Sequence, residues 1–257
     1  ADSWDGVEFT TAGIDHCSWL LDIRYKGRDA LAIMKEKGLI ESAQKGILNV
    51  MVDDPFADRE KIRLRFLLWG IIGYMPGISD RHIIEFFSQI TGNKELRKHY
   101  GIEYYRPGEK IEWAGRYKRD VLDIVEGKAE LKLSRNNEII DRFISALNGG
   151  GGFTDVMNVP NEGQIPNLPM ESIVETKCTV DTTGVHPIHA GELPPIVESI
   201  VRPILIRQEL YMEAAMEDNF EKLRGALSTD PLVNDFRQID DLCKELMDFN
   251  NQYRIKE

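Results

Sequence analysis

Strand-period alternation is confined to two well-separated parts of this 257-residue chain, and that distribution limits its fold more than any other feature. Trp19, Leu21, Ile23 and Tyr25 alternate with Leu20, Asp22, Arg24 and Lys26 before Gly27-Arg28-Asp29 closes the run. This is the period at which successive side chains point to opposite faces of a strand. The stretch from Phe153 to Val159 is strand-like, and Glu171 to Asp181 alternates up to a turn at Thr182-Thr183-Gly184. Most of the remainder carries helical spacing. The pattern predicts one α+β unit over residues 1–257, a mixed domain of helices and antiparallel strands.

The helical segments are bounded by residues that start and stop helices. A short helix is expected from about Ala30 to Lys37, ending at Gly38, and Asp58 can cap another through Trp69 with Ile62, Phe66 and Trp69 at helical spacing. Gly70, Gly73, Pro76 and Gly77 then predict a turn before Asp80-Arg81-His82. Trp113, Tyr117, Val121 and Ile124 mark one face of a long charged helix over Gly108 to Glu126. Ser134 can cap the next, carrying Ile139, Ile140, Phe143 and Leu147 up to the glycines 149–152. Those four glycines follow a helix and precede a strand, the reverse of a dinucleotide-binding loop, so they read as a helix stop. From Pro194 onward the chain is helical, with Pro203 expected to kink or split the first long helix.

Composition excludes some partners. Hydrophobic residues make up 42%, enough for a sizeable core, and the net charge of −11 repels nucleic-acid backbones and anionic membranes. No apolar run approaches the roughly 20 residues that span a bilayer, and no signal core opens the chain. A sugar, including an acidic one, remains admissible. Cys17, Cys178 and Cys243 form neither an even disulfide set nor a C-x-x-C motif, which points to a reducing, cytoplasmic setting. The opening Ala1-Asp2-Ser3-Trp4 reads as a polypeptide entered midway.

Three places could carry chemistry. In Asp15-His16-Cys17 every side chain can bind a transition metal, but neighbours on a strand face opposite ways, so His16 and Cys17 do not readily share an ion. Taken alone, a strand histidine is as a rule a hydrogen-bonded structural residue, and Cys17 a small apolar filler. Ser79 to Phe87 concentrates Asp80, Arg81, His82 and Glu85 after the Gly/Pro turn; Asp80 either caps a helix there or belongs to a site. Arg135, in Ser134-Arg135-Asn136, is either a surface residue of a first helical turn or a bidentate partner for a carboxylate or hydroxyl. His186 and His189 flank Pro187 in a pattern that superficially suggests metal binding, and His99 carries no argument.

Ala12-Gly13-Ile14-Asp15-His16, the loop Gly163-Gln164-Ile165-Pro166-Asn167-Leu168-Pro169 and Gly191-Glu192-Leu193-Pro194 resemble the carboxyl-terminal half of glycoside hydrolase family four, over nearly the whole chain. The resemblance implies the carboxyl-terminal domain that family shares with lactate dehydrogenases, and a glycosidase needing NAD and a divalent metal, with manganese favoured. It puts His16 at the family's metal-binding histidine, with Asp15 where an asparagine is usual. Asp15, Arg81, His82 and Arg135 become substrate-binding candidates. Asp80 becomes the general base, with Glu85 next, because Phe86 lies near the place where some branches use a tyrosine. The implied reaction oxidises sugar carbon 3 by hydride transfer to NAD, removes the acidified carbon 2 proton, eliminates the aglycone, adds water and returns the hydride; it is a recognised exception to paired-carboxylate hydrolysis. The metal would act as a Lewis acid on the oxygens of carbons 2 and 3.

No Gly-x-Gly-x-x-Gly occurs in the chain, so cofactor-binding residues stay unassigned, and a nucleotide-binding segment, which in the family also carries a cysteine ligand, is expected to be missing. The substrate reading is an α-glycoside, with galacturonides among the options, turned over only when that segment is present. A homo-oligomer is expected, and the helices after Pro194, rich in Ile, Leu and Met, either supply its interface or serve only the core. Two other readings stand beside it: a catalytically silent binding or assembly module, and a 2-hydroxyacid dehydrogenase-like domain, whose histidine–aspartate relay is not found. Sequence upstream of Ala1 separates them.

Overall fold

The computed structural model describes residues 6–48, 51–52, 60–102, 107–131 and 139–253; Asp58, Ser134 and Arg135 lie outside them. The chain opens with β1 (Val7–Ile14), β2 (Cys17–Tyr25) and β3 (Arg28–Asp29), then α1 (Ala30–Glu36) and α2 (Leu39–Gln44). A two-stranded ribbon of β4 (Met51–Val52) and β5 (Glu60–Lys61) leads to α3 (Leu64–Ile72) and the short β6 (Met75–Pro76). Next come α4 (Asp80–Ile83) with a 3-10 turn at Ile84–Phe86, α5 (Ser88–Thr91), α6 (Lys94–Tyr100), α7 (Pro107–Val125) and α8 (Ile140–Leu147). The second strand group is β7 (Phe153–Pro160), β8 (Ile173–Asp181) and β9 (Gly184–Pro187), before α9 (Pro195–Glu217), α10 (Phe220–Ser228) and α11 (Ile239–Tyr253).

The two strand groups form one antiparallel sheet in the order β3-β2-β1-β8-β7, with β6 added to β2 and β9 to β8. The join is short: β1 meets β8 at Ala12↔Thr176 and Gly13↔Glu175. Alternation along β2 sends its side chains to two cores. Cys17 and Trp19, both fully buried, pack with Ile14, Val174, Leu193, Val197, Val201 and Leu205, while Leu20 packs against Phe66, Trp69 and Met75. Helix α3 serves both cores, presenting Leu64, Leu67 and Leu68 to one and Phe66 and Trp69 to the other. Each such buried side chain contributes about 1.5–3 kcal/mol relative to exposure. A third cluster, of Leu227, Ile239 and Cys243, holds α10 and α11 together.

The mixed α+β architecture matches the expectation from periodicity, with differences at boundaries. The helix expected to start after Asp58 begins at Leu64, because Glu60 and Lys61 are taken into β5. Gly70 lies within α3 and only Gly73, at φ +88°, ends it in the left-handed region where a Cβ is disfavoured. Pro203 does not split α9, which runs unbroken from Pro195 to Glu217. Its ring lies on the solvent side between buried Val201 and Ile204, where water can satisfy the carbonyl it displaces.

Candidate active site

The β1–β2 hairpin closes with only Asp15 and His16 between the paired residues Ile14 and Cys17. A turn this tight needs a residue at positive φ, and His16 takes it at φ +61°, a conformation uncommon outside glycine. Gly13 lets the two strands approach: a Cβ there would lie 2.4 Å from the Cys17 carbonyl oxygen. The hairpin thus holds a half-buried imidazole at its tip, with exposed Asp15 beside it.

Helix α4 and its 3-10 extension meet that tip. Ile83 and Ile84 are fully buried in the main core and anchor the segment from below, so His82 and Glu85 flank this anchored pair. The His16 and His82 rings are 4.1 Å apart, inclined at 55°, and His16 Nδ1 is 3.5 Å from Glu85 Oε2. One donor atom each from His16, His82 and Glu85 can be chosen so that all lie within 4.8 Å of one another. Arg81 is half-buried on the same short helix.

Asp80 is placed differently from its expected role as a base. It is 3% exposed, and its carboxylate accepts the backbone N–H groups of Arg63 (2.5 Å), Leu64 (2.6 Å) and Arg65 (2.9 Å). These are the unsatisfied donors at the start of α3, whose own N-cap residue Arg63 makes no side-chain cap bond. Asp80 therefore caps a helix, but a remote one rather than its own. Burial pushes its carboxyl up to about 6, with the three N–H bonds pulling the other way.

Glu175, which the alternation of β8 disguises as a solvent-facing residue, is the acid that sequence reasoning missed. It stands opposite Gly13 across the β1–β8 join, half-buried and hydrogen-bonded to Ser18. Burial raises its pKa, the Ser18 bond opposes that rise, and the nearby Asp15 and His16 act in opposite directions. Cys17 is fully buried, its thiol pushed up to about 12 by desolvation, which suits the filler reading. His186 is hydrogen-bonded to Thr183 and Asp181 within the β8–β9 hairpin, and His189 to the Gly163 carbonyl.

The Pro-rich loop is scaffold. Asn161, fully buried, donates to the carbonyls of Ile165, Leu168 and Pro169 and accepts from the N–H groups of Gly163 and Ile165. Asn167 bonds both the N–H and the carbonyl of Leu193 at 2.9 Å and donates to Glu198, which pairs with Arg202 at 2.8 Å. The Gly-Gln-Ile-Pro and Gly-Glu-Leu-Pro segments and the start of α9 are locked into one body.

Residues 11–233 match the family 4 glycosyl hydrolase C-terminal domain, and the chain belongs to that family. Among curated relatives it is 28% identical to the alpha-galacturonidase of Lachnoclostridium phytofermentans over 98% of this chain and 55% of that one. Its fold resembles that of LplD from Bacillus subtilis (TM-score 0.83, 24% identity, 96% of this chain and 56% of that chain). It also resembles the 6-phospho-beta glucosidase of Thermotoga maritima, solved with manganese, NAD+ and glucose-6-phosphate (TM-score 0.68, 18% identity, 98% and 55%). The chain spans about half the length of the curated relatives it matches. Among the described residues no helix is long and apolar enough to cross a membrane.

Proposed function

We propose that this chain is the sugar- and metal-binding part of an NAD- and divalent-metal-dependent glycosidase acting on α-glycosides, galacturonides foremost, by oxidation and elimination. The observation that carries the reading is His16, at the hairpin tip that the family resemblance assigns to the metal, meeting a second imidazole and a carboxylate there. Such a mixed nitrogen and oxygen donor set suits manganese and its first-row neighbours. When bound, the metal supplies Lewis-acid polarisation of sugar oxygens. NAD, the hydride acceptor of the proposed reaction, is assigned no residue in this chain and would be held by a segment outside it.

Within this reading His16 fixes the metal, and Asp15 and Arg81 orient the sugar, Arg81 through a substrate carboxylate. Arg135 keeps its expected substrate role, outside the described residues. The base role moves from Asp80, whose oxygens are engaged by backbone, to Glu175, whose half-buried carboxyl lies beside Asp15 and His16 and is raised by burial. Three free, buried cysteines accord with a reducing cytoplasm, and the exposed apolar stripe of α7 with self-association.

The test pairs the chain with a nucleotide-binding segment from a relative, NAD, Mn(II) and a reductant, on 4-nitrophenyl α-galacturonide and α-galactoside. Release that needs both NAD and metal, with solvent deuterium entering sugar carbon 2, is expected. Release independent of NAD, or product without deuterium, would overturn the mechanism, and no release from either glycoside would count against the substrate class.

A further inference from the structure

We propose that Ser18 is a positioning residue for Glu175: its buried hydroxyl, given room by Gly77, fastens the Glu175 carboxylate beside the hairpin tip. Ser18 and Glu175 stand on either side of Gly13 in the sheet, one on β2 and the other on β8. Their neighbours Cys17, Trp19 and Val174 enter the main core, so both residues face away from it, across a strand position that has no side chain. Neighbouring strands are about 4.8 Å apart, which puts the two Cα atoms about 9–10 Å apart. That gap is closed by a glutamate, a serine hydroxyl and one hydrogen bond of about 2.7 Å, and the Ser18 hydroxyl does donate to the carboxylate.

The surroundings of the hydroxyl fit this task. Ser18 is 3% exposed. The N–H of Gly77, just after β6, donates to the Ser18 carbonyl at 2.8 Å, and a Cβ on Gly77 would lie 3.0 Å from Ser18 Oγ and 3.3 Å from Thr11 Oγ1. Gly77 is not at positive φ, so the backbone does not demand a glycine there; the space beside the Ser18 hydroxyl does. The ordinary solution for a buried hydroxyl is a nearby carbonyl, as Thr11 Oγ1 bonds the Trp19 carbonyl at 3.3 Å. Ser18 reaches instead for a carboxylate on a strand from the far end of the sequence. Asp15 is near enough to repel that carboxylate and His16 to attract it, and the neutral hydroxyl fixes a group that those two charges pull in different directions.

This inference rests on the proposed function only for the chemical use of Glu175, so the holding itself is tested without turnover. In the folded chain Glu175 would be labelled with a water-soluble carbodiimide and an amine, and followed by peptide mass. Ser18→Ala should speed its labelling at least threefold. Gly77→Ala, which keeps the hydroxyl but crowds it, should do likewise, and joining the two changes should add nothing, because the new methyl then meets no hydroxyl. Circular dichroism checks the fold of each variant. In the protein completed with a nucleotide-binding segment, Ser18→Ala should slow deuterium entry at sugar carbon 2 about tenfold with KM within twofold, the pattern of a reacting group held less well rather than a substrate bound less tightly. Parental labelling of Glu175 in either folded variant, or additive effects in the double variant, would overturn the positioning role. Faster labelling with unchanged deuterium entry, or with no turnover in the completed parent, would leave Ser18 as the holder of Glu175 and remove the chemical role proposed for Glu175 instead.

Discussion

The carboxylate of Asp80 shows how one residue can serve a site without touching it. It ties the start of α3 to the start of α4, and α4 carries His82 at the hairpin tip. Removing a helix cap costs about 0.5–2 kcal/mol and leaving a buried donor unpaired about 1–3. Asp80→Ala should therefore destabilise the fold by about 2–4 kcal/mol in chemical denaturation, and Asp80→Asn, which keeps the oxygen shared by Arg63 and Leu64, by less. Equal losses in the two variants would mean that the hydrogen bonds are not what Asp80 contributes. At the other extreme, Cys17, Cys178 and Cys243 are buried with thiols raised by desolvation. None should react with iodoacetamide in native buffer and all three should in denaturant, as read by intact mass. The residues that meet at the hairpin tip lie in local motifs that the sequence singles out, His16 in its turn and His82 with Glu85 in one short stretch, but their meeting is visible only in the fold. Asp80 was misread because its partners are 15 to 17 residues away, and Glu175 was missed because an acid in an alternating strand looks solvated until β1 is laid beside it.

Among the elements, the loop after β7 and the helix α9 act as a unit. Asn161 satisfies three carbonyls and two N–H groups inside a loop that has no regular structure of its own. Asn161→Ala should cost about 2–4 kcal/mol, since buried groups would lose partners that water cannot replace. A change within error in the urea midpoint would show that the loop repacks. Pro203 offers the opposite case. Its position facing solvent in the middle of α9 means that Pro203→Ala restores a donor without disturbing the core, and should stabilise by about 1–3 kcal/mol in thermal unfolding. Element type was readable nearly everywhere that periodicity was strong, as in β2, β8 and α7. Boundaries were lost where tertiary pairing decided them, as when β5 claimed the residues before Leu64.

For the molecule as a whole, α7 is the outstanding surface. Ile111, Trp113, Tyr117, Val121 and Val125 are all exposed along it, with the Trp113 and Tyr117 rings stacked 5.6 Å apart. Contiguous apolar patches of this kind favour association. The chain should sediment as more than a monomer at micromolar concentration, and Trp113→Asp combined with Val121→Asp should shift it toward the monomer without changing its circular dichroism. Unaltered sedimentation would place the contact elsewhere, the helices after Pro194 being next. The sheet itself carries a consequence for how the molecule is made. Its centre is the pairing of residues 12 and 13 with residues 176 and 175, so the hairpin bearing His16 is synthesised long before its neighbouring strand exists. At typical translation speeds that interval is about 10–30 s, during which β1 presents an open edge of unpaired amides. Closing so long a loop comes late and slowly, so the last part of the sheet to form is the part that brings Glu175 to His16, and each new chain completes this site only in the final steps of folding.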